Sequence, residues 1–298
     1  MQGLDQRISD TLNTSVDPAV GEFAARLAKE SGALAVLFYG SNLRTGSLEG
    51  VLDFYVLLSG AQKERIWPKV SYREWEHGGV TLRAKIATMS LETFAQAARG
   101  ELLDTTIWAR FVQPSALAWQ RDEAARSAVI GAVADSAKTA VRLAVALGPV
   151  RGEAGDYWRA LFRATYQAEF RVERAGREDS ILSVNAAHFD GLLPLALEAQ
   201  VIGISQDGAT IAPQLAPAMR QEILRWWAKR RRVGKLLNVM RLLKASTTFD
   251  GAARYAAWKI ERHTGLPVKL TPWREKHPVL AAPGVLLGLW REKRRRGT

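Results

Sequence analysis

The stretch ALAVLFYGSNLRTGSLEGVLDFYVLL, residues 33–58, contains two short apolar runs joined by a glycine-rich connection. The runs cover residues 33–39 and 51–58, and each has the length of a buried strand. Glycines at positions 40, 46 and 50 punctuate the connection. We predict a third strand over residues 79–87 and a helix over residues 17–31. The amino-terminal part of the chain is therefore predicted to be a mixed α/β unit.

Helical periodicity dominates the rest of the chain. Apolar residues recur every three or four positions from Ser90 onward. This pattern predicts helices over residues 90–99, 121–147, 155–175, 178–200 and 217–244, with a break at residues 203–208. We predict an α+β fold. Its parts are a mixed α/β domain over residues 1–115, a mostly helical domain over 116–263 and a basic carboxyl-terminal segment over 264–298.

The composition excludes several classes of site. The 298 residues are 47% hydrophobic and 24% charged, which is typical of a globular protein with a substantial core. The chain contains no cysteine, which excludes disulfides, thiolate zinc sites, iron–sulfur clusters and cysteine nucleophiles and fits a reducing compartment. No secretory signal pattern is visible, and no run reaches the roughly 18–20 apolar residues of a spanning helix. We expect a soluble or surface-bound protein.

Positive charge is concentrated near the carboxyl terminus. Residues 225–298 carry 19 Lys and Arg against 4 Asp and Glu, a net charge of +15. The first 224 residues carry 23 and 26, a net charge of −3. The basic region also holds five of the ten tryptophans, namely Trp226, Trp227, Trp258, Trp273 and Trp290. This composition suits an anionic membrane or a nucleic acid. The alternative is a solvated basic face.

An apolar segment over residues 278–290 is followed by a run of cations. The segment is too short to cross a bilayer, and its pattern is typical of a segment that lies in the membrane interface. The residues predicted to contact the membrane are Trp290, Arg291, Lys293, Arg294, Arg295 and Arg296. The alternative is a terminal helix docked on the core of the protein, with a solvated basic tail.

The Gly40-Ser41 turn and Asp53 form the most specific constellation in the sequence. Glycine lets backbone amides and the Ser41 hydroxyl approach a triphosphate closely. A carboxylate on the neighbouring strand can bind a Mg²⁺ ion that bridges those phosphates, as nucleotidyl transfer requires. The alternative is an ordinary turn beside a partnered buried acid. A second carboxylate two residues on would share the same face of the strand, and Tyr55 occupies that place.

This constellation resembles the signature of the nucleotidyltransferase superfamily. Further blocks, in the same order along the chain, are similar to those of the mitochondrial-type phosphatidate cytidylyltransferases (CDP-diacylglycerol synthases). They are residues 77–80, Arg110 to Pro114, Tyr166 to Arg171, Glu178-Asp179, Asn185, residues 244–248 and residues 256–260. Where that family has Gly-Asp and two lysines, this chain has Ala168-Glu169, Gln113 and Leu182. The sequence therefore resembles a divergent member.

The resemblance implies transfer of a cytidylyl group from CTP to phosphatidic acid, which gives CDP-diacylglycerol and pyrophosphate, with Mg²⁺ as cofactor. It implies a nucleotidyltransferase-like sheet domain. Gly40 and Ser41 would hold the triphosphate, and Asp53 would bind the metal. Glu169 and Asp179 would supply the acidic partner. Arg110 and Arg171 would contact phosphates.

Three hypotheses follow for function. The first is a cytidylyltransferase of the cytoplasm, bound peripherally to the inner face of an anionic membrane, with no protein partner evident. The second is a nucleotidyltransferase with a nucleic-acid acceptor, which we expect less. The third is a non-catalytic, membrane-bound relative that lost its second carboxylate at Tyr55.

Overall fold

A computed structural model describes residues 3–168, 177–248, 250–265, 268, 270–276 and 284 of the chain. Its main feature is a five-stranded mixed sheet with the order β3-β4-β2-β1-β5. Strands β2 and β4 are parallel, and the other neighbours are antiparallel. The strands are Ala33–Tyr39 (β1), Leu52–Leu58 (β2), Lys69–His77 (β3), Val80–Ser90 (β4) and Ser115–Gln120 (β5). The predicted α+β class, with a mixed sheet and a helical part, is confirmed.

Helices surround this sheet and make up most of the remaining described chain. They are Leu4–Leu12 (α1), Pro18–Ser31 (α2), Ser41–Thr45 (α3), Leu91–Ala98 (α4), Thr106–Phe111 (α5), Glu123–Leu147 (α6), Ala154–Ala168 (α7), Arg177–Val184 (α8), Ala186–Phe189 (α9), Leu192–Glu198 (α10), Pro217–Thr248 (α11), Ala252–Thr264 (α12) and Pro272–Lys276 (α13). The helix predicted over 178–200 is divided into three short helices. A left-handed Gly191 precedes the last of them.

Alternation along the strands produces two hydrophobic layers. Val36, Phe54 and Ile86 project to one face and pack against α2. Leu37 and Tyr55 project to the opposite face and pack against α4, α5 and α6. Because successive strand residues point to opposite sides, each central strand has to be apolar at nearly every position. That requirement explains the two unbroken runs in the sequence.

Two sheet strands were not predicted. Strand β3 has charged residues at several positions, because it lies at the sheet edge and most of its side chains are accessible to solvent. Strand β5 begins at Ser115, so the predicted domain boundary at residue 115 coincides with the start of a strand that pairs with β1. The predicted break at residues 203–208 is a hairpin of Ile204–Asp207 (β7) and Thr210–Pro213 (β8), which also pairs with Gly152–Glu153 (β6).

Two tryptophans of the basic region are core residues. Trp227 is 3% exposed, and both Trp226 and Trp227 lie against the ring of the buried Trp108. Trp226 also donates a hydrogen bond from Nε1 to the carbonyl oxygen of Gly100. Trp227 is therefore buried and Trp226 is partly buried against the core, so these two indoles do not form the exposed aromatic surface that the membrane or nucleic-acid prediction assumed.

Beside them, Arg230 is buried and ties α11 to the chain after α4. Its guanidinium donates hydrogen bonds to the carbonyl oxygens of Gly100 and Leu102, and it lies over the Trp226 ring. Burial lowers the pKa of Arg230 to about 10. Part of the positive charge counted in the basic region is therefore structural.

Within the described residues, no single helix is long and apolar enough to span a membrane. One bent pair of helices, Glu178–Val184 with Ala186–Glu198, has the length and the apolar composition of a span.

Candidate functional site

A cleft with a volume of about 650 Å³ opens where β1 ends and β2 begins. Four of the residues identified from the sequence line it together, namely Gly40, Ser41, Asp53 and Arg110. The opposite walls come from helices α5, α7, α8 and α11 and from the residues that follow α5 and α8. They include Gln113, Thr165, Tyr166, Asn185 and Arg241. Residues that are distant in the sequence thus meet at one edge of the central strands.

Gly40 allows the turn and the carboxylate to approach each other. Its backbone has φ 91° and ψ −160°, a conformation essentially restricted to glycine. A Cβ atom at this position would lie 3.1 Å from Oδ2 of Asp53. The turn therefore brings backbone close to Asp53 because position 40 has no side chain.

Gly40→Ala should destabilise the protein by about 1–3 kcal/mol, because the backbone is strained and the new methyl group meets Asp53. Gly46→Ala is the matched control. Gly46 also has a positive φ, 66°, but a Cβ there would meet nothing within 4 Å. Urea unfolding of both variants measures the difference. A loss for Gly40→Ala no larger than that for Gly46→Ala would show that the approach to Asp53 is not tight.

Asn42 fixes the connection that follows the turn. Its side chain is buried, and Nδ2 donates hydrogen bonds of 2.7 Å to the carbonyl oxygens of both Ser47 and Glu49. These two bonds hold residues 47–49 against α3, so that the loop before β2 has a defined path. The sequence pattern did not single out Asn42, although a buried amide with two backbone acceptors is a positioning residue for the turn.

Asp53 lies near two cations, Lys85 of the sheet and Arg110 of α5. In the ladders it is the register partner of Tyr39 on β1 and of Lys85 on β4. Burial raises the pKa of Asp53 above its ordinary value, and the charges of Lys85 and Arg110 partly oppose this shift. Lys85 is thus a cleft residue that the sequence pattern missed. Its position depends on the parallel pairing of β2 with β4, which nothing in the local sequence shows.

Arg110 is held on an aromatic platform. Its guanidinium lies 5.1 Å from the ring centroid of Tyr39 and 5.8 Å from that of Tyr55, and Nη1 donates a 3.1 Å hydrogen bond to the Tyr39 hydroxyl oxygen. Burial raises the pKa of the Tyr39 phenol, so it stays protonated at neutral pH. These contacts direct the cation of α5 toward the strand that carries Asp53.

Tyr55 occupies the place of a second carboxylate. It is 1% exposed, and its ring packs against Phe94 and Phe111 at centroid distances of 6.2 and 5.2 Å. An aspartate at this position would require a charge within a cluster of aromatic rings, which is costly without a partner. The position therefore serves the core and supports Arg110.

A buried ion pair joins two walls of the cleft. Asp104 is 4% exposed and contacts Nη1 of Arg241 on α11. The same carboxylate accepts hydrogen bonds from the backbone nitrogen and the hydroxyl of Thr106, at the start of α5. Arg241 also donates from Nε to the carbonyl oxygen of Trp67 at 3.0 Å. Asp104 thereby sets the position of the helix that carries Arg110.

Asp179 does not line the cleft. Its carboxylate forms a 2.6 Å ion pair with Arg159 of α7, in an exposed position, and the adjacent Glu178 pairs with Arg163. Ser180 and Asn185, from the same part of the chain, do line it. Glu169 and Arg171 lie outside the described residues, as do Trp290, Arg291, Lys293, Arg294, Arg295 and Arg296.

The donors of the cleft can be compared with the needs of a magnesium ion. In the described part of the chain, no three His, Asp or Glu side chains are grouped so that they could hold a metal. Among the described lining residues, Asp53 alone has a carboxylate. Because Mg²⁺ is commonly bound by one or two carboxylates together with substrate phosphates and water, these donors fit an ion that arrives with a polyphosphate. They do not form a complete site by themselves.

The cleft thus combines a tight glycine turn, one half-buried carboxylate and several cations in one concave site. Such a site suits a polyanionic ligand whose charge is neutralised by Lys85, Arg44 and Arg110. Comparison with known proteins finds no family model that matches this chain and no curated protein that matches it.

Proposed function

We propose that the chain is a Mg²⁺-dependent nucleotidyltransferase that transfers a cytidylyl group from CTP to phosphatidic acid at a membrane surface. The observation that carries the proposal is the convergence of Gly40, Ser41, Asp53 and Arg110 in one cleft. The first three were selected from their sequence pattern and Arg110 from the family resemblance. Lys85 and Arg44 in the same cleft add positive charge for a triphosphate. The choice of CTP and of phosphatidic acid rests on the family resemblance in the sequence.

The proposed chemistry is a single displacement at phosphorus. A phosphate oxygen of phosphatidic acid attacks the α-phosphorus of CTP, the bond from this phosphorus to the bridging oxygen breaks, and pyrophosphate leaves. Such a transfer depends mainly on positioning and on charge neutralisation. Gly40 and Ser41 would position the triphosphate, and Arg44, Lys85 and Arg110 would oppose its negative charge. Asp53 would hold Mg²⁺, which when bound adds positive charge beside the phosphates.

A non-catalytic nucleotide-binding protein is the second candidate. Two observations favour it: Tyr55 occupies the place of a second carboxylate, and Asp179 forms an exposed ion pair outside the cleft. Asp53 is then the single carboxylate among the described lining residues. A nucleic-acid acceptor is less favoured, because the ordered blocks of the sequence resemble a family that acts on a lipid phosphate. The packing of Trp226 and Trp227 against Trp108 removes the same two indoles from membrane contact and from base stacking. The cytidylyltransferase proposal includes a location in the cytoplasm, with peripheral association at the inner face of a membrane.

The proposal is tested by incubating the purified protein with Mg²⁺, each labelled nucleoside triphosphate in turn, and vesicles that contain phosphatidic acid. We expect a labelled lipid with CTP, and none after EDTA is added. The same reactions with RNA in place of vesicles test the nucleic-acid acceptor. Well-folded protein that binds CTP but gives no product with either acceptor would favour the non-catalytic candidate.

Arg110→Met should weaken CTP binding about tenfold, since it removes a cation from the cleft while keeping most of the side-chain volume. Arg26→Met is the control, because Arg26 forms an exposed pair with Glu30 on α2. Titration calorimetry with Mg²⁺ measures both dissociation constants. Equal affinities for the two variants would exclude Arg110 from the phosphate contacts.

A further inference from the structure

An apolar groove of about 370 Å³ adjoins the cleft on the side of α11. We call it the apolar groove, and its lining includes Trp67, Leu102, Leu103, Leu237 and Met240. Arg241 lines both the groove and the cleft. Its guanidinium lies 5.1 Å from the Trp67 ring centroid and pairs with Asp104. The two concave regions therefore meet at one fixed side chain.

One face of α11 beside this groove is apolar and exposed. Leu236, Val239 and Met240 are 61%, 40% and 40% exposed, and they share a face because they lie three and four residues apart. Leu103, on the opposite wall, is 37% exposed. Large apolar side chains grouped in this way on a surface indicate contact with an apolar partner.

Cations continue the same face toward the start of α11. Arg232 and Lys229 lie one and two turns before Leu236, respectively, and both are exposed. Neither has an anionic partner among the residues whose positions are described. A helix face with cations at one end and apolar residues at the other matches an anionic lipid surface, where phosphates lie above hydrocarbon.

We propose that the apolar groove holds an acyl chain of an anionic membrane lipid whose phosphate lies in the adjacent cleft. The acyl chain of such a lipid would contact the apolar residues of the groove. Its phosphate would lie near Arg44, Lys85 and Arg110 in the cleft. Arg241 stands at the junction between headgroup and chain. The inference rests on the proposed function only in taking phosphatidic acid as the lipid.

Binding of two soluble ligands tests the groove without nucleotide or metal. Dihexanoyl phosphatidic acid and glycerol 3-phosphate share a phosphate and differ in their acyl chains. Titration calorimetry with the full chain should show dihexanoyl phosphatidic acid binding at least about tenfold tighter, because even two buried methylene groups account for such a factor. Equal affinities would overturn the inference, and they are the result expected if another segment or a protein partner fills the groove.

Met240→Glu should abolish this preference, because it places a charge in the groove. Met219→Glu is the control, because Met219 lies on the same helix, is 47% exposed and does not line the groove. Leu103→Glu, on the opposite wall, should repeat the effect of Met240→Glu. A preference that survives both groove variants, or that Met219→Glu also removes, would contradict the proposal.

The outcome is separable from that of the proposed function. If the groove preference is observed and no nucleotide is transferred, the groove inference stands and the cytidylyl transfer fails. If CDP-diacylglycerol forms while the two ligands bind equally, the transfer stands and the groove inference fails.

Discussion

Asp53→Asn is expected to lower cytidylyl transfer by about 10³-fold or more while leaving the melting temperature no lower than that of the wild type. The loss follows because asparagine removes the negative charge that would bind Mg²⁺ beside the triphosphate, and no other described lining residue has a carboxylate. Steady-state rates with CTP and phosphatidic-acid vesicles measure the effect.

The stability part of this prediction depends on the direction of the pKa shift. Burial raises the pKa of Asp53, so the folded protein binds this proton more tightly than the unfolded chain does. The carboxyl therefore stabilises the fold at low pH, and this contribution is lost as the pH rises through the folded-state pKa. At neutral pH the ionised group opposes folding. Relative to Asp53→Asn, the wild type should lose stability as the pH rises above about 4, the ordinary pKa of an aspartate, and through the higher folded-state pKa.

Glu49→Gln is the matched control, because it removes one negative charge from an exposed position in the connection before β2. It should leave both turnover and melting temperature unchanged. Retained turnover in Asp53→Asn would exclude Asp53 from the metal site. A large drop in melting temperature would show instead that the carboxylate is structural and that its cationic neighbours outweigh the cost of burial.

Asp104→Ala is expected to reduce the free energy of unfolding by about 3–5 kcal/mol. The variant leaves the half-buried Arg241 without its counter-ion and removes the acceptor for the first backbone nitrogen of α5. Both losses affect walls of the cleft, so CTP binding should weaken as well. Urea unfolding followed by far-ultraviolet circular dichroism measures the change in stability.

Glu30→Ala provides the comparison for an exposed pair. Glu30 contacts Arg26 at 2.9 Å with both side chains 53% exposed, and its removal should cost less than about 1 kcal/mol. Asp104→Asn should fall between the two, because the amide oxygen can still accept from Thr106 while the charge is absent. If Asp104→Ala and Glu30→Ala lose the same stability, the Asp104–Arg241 pair does not hold the cleft walls.

Much of the fold follows from local patterns. The apolar runs at residues 33–39 and 51–58 form the strands β1 and β2, because central strands buried on both faces require apolar residues throughout. The long segments with helical periodicity form α6 and α11, because a helix that packs against a core needs an apolar residue every three or four positions. Strand β3 escaped prediction, since an edge strand is held by its backbone hydrogen bonds and needs no apolar run.

The sequence by itself also determined the centre of the site. Gly40 directly follows β1 and lies beside Asp53, because β1 and β2 are antiparallel neighbours and Tyr39 is the register partner of Asp53. Tyrosine at position 55 was visible as a departure from a two-carboxylate pattern. The contact between the Tyr55 ring and the Arg110 guanidinium depends on where helix α5 lies relative to β2, which only the tertiary structure shows.

Only the tertiary structure decided which charges belong to the cleft. Lys85 lies beside Asp53 through the parallel register of β2 with β4, whereas Asp179 pairs with Arg159 outside the cleft. Trp226 and Trp227 became core residues because α11 packs its aromatic face against Trp108. Composition counts residue types without assigning them to a face. Burial and charge pairing depend on contacts between segments far apart in the chain, and local periodicity carries no information about those contacts.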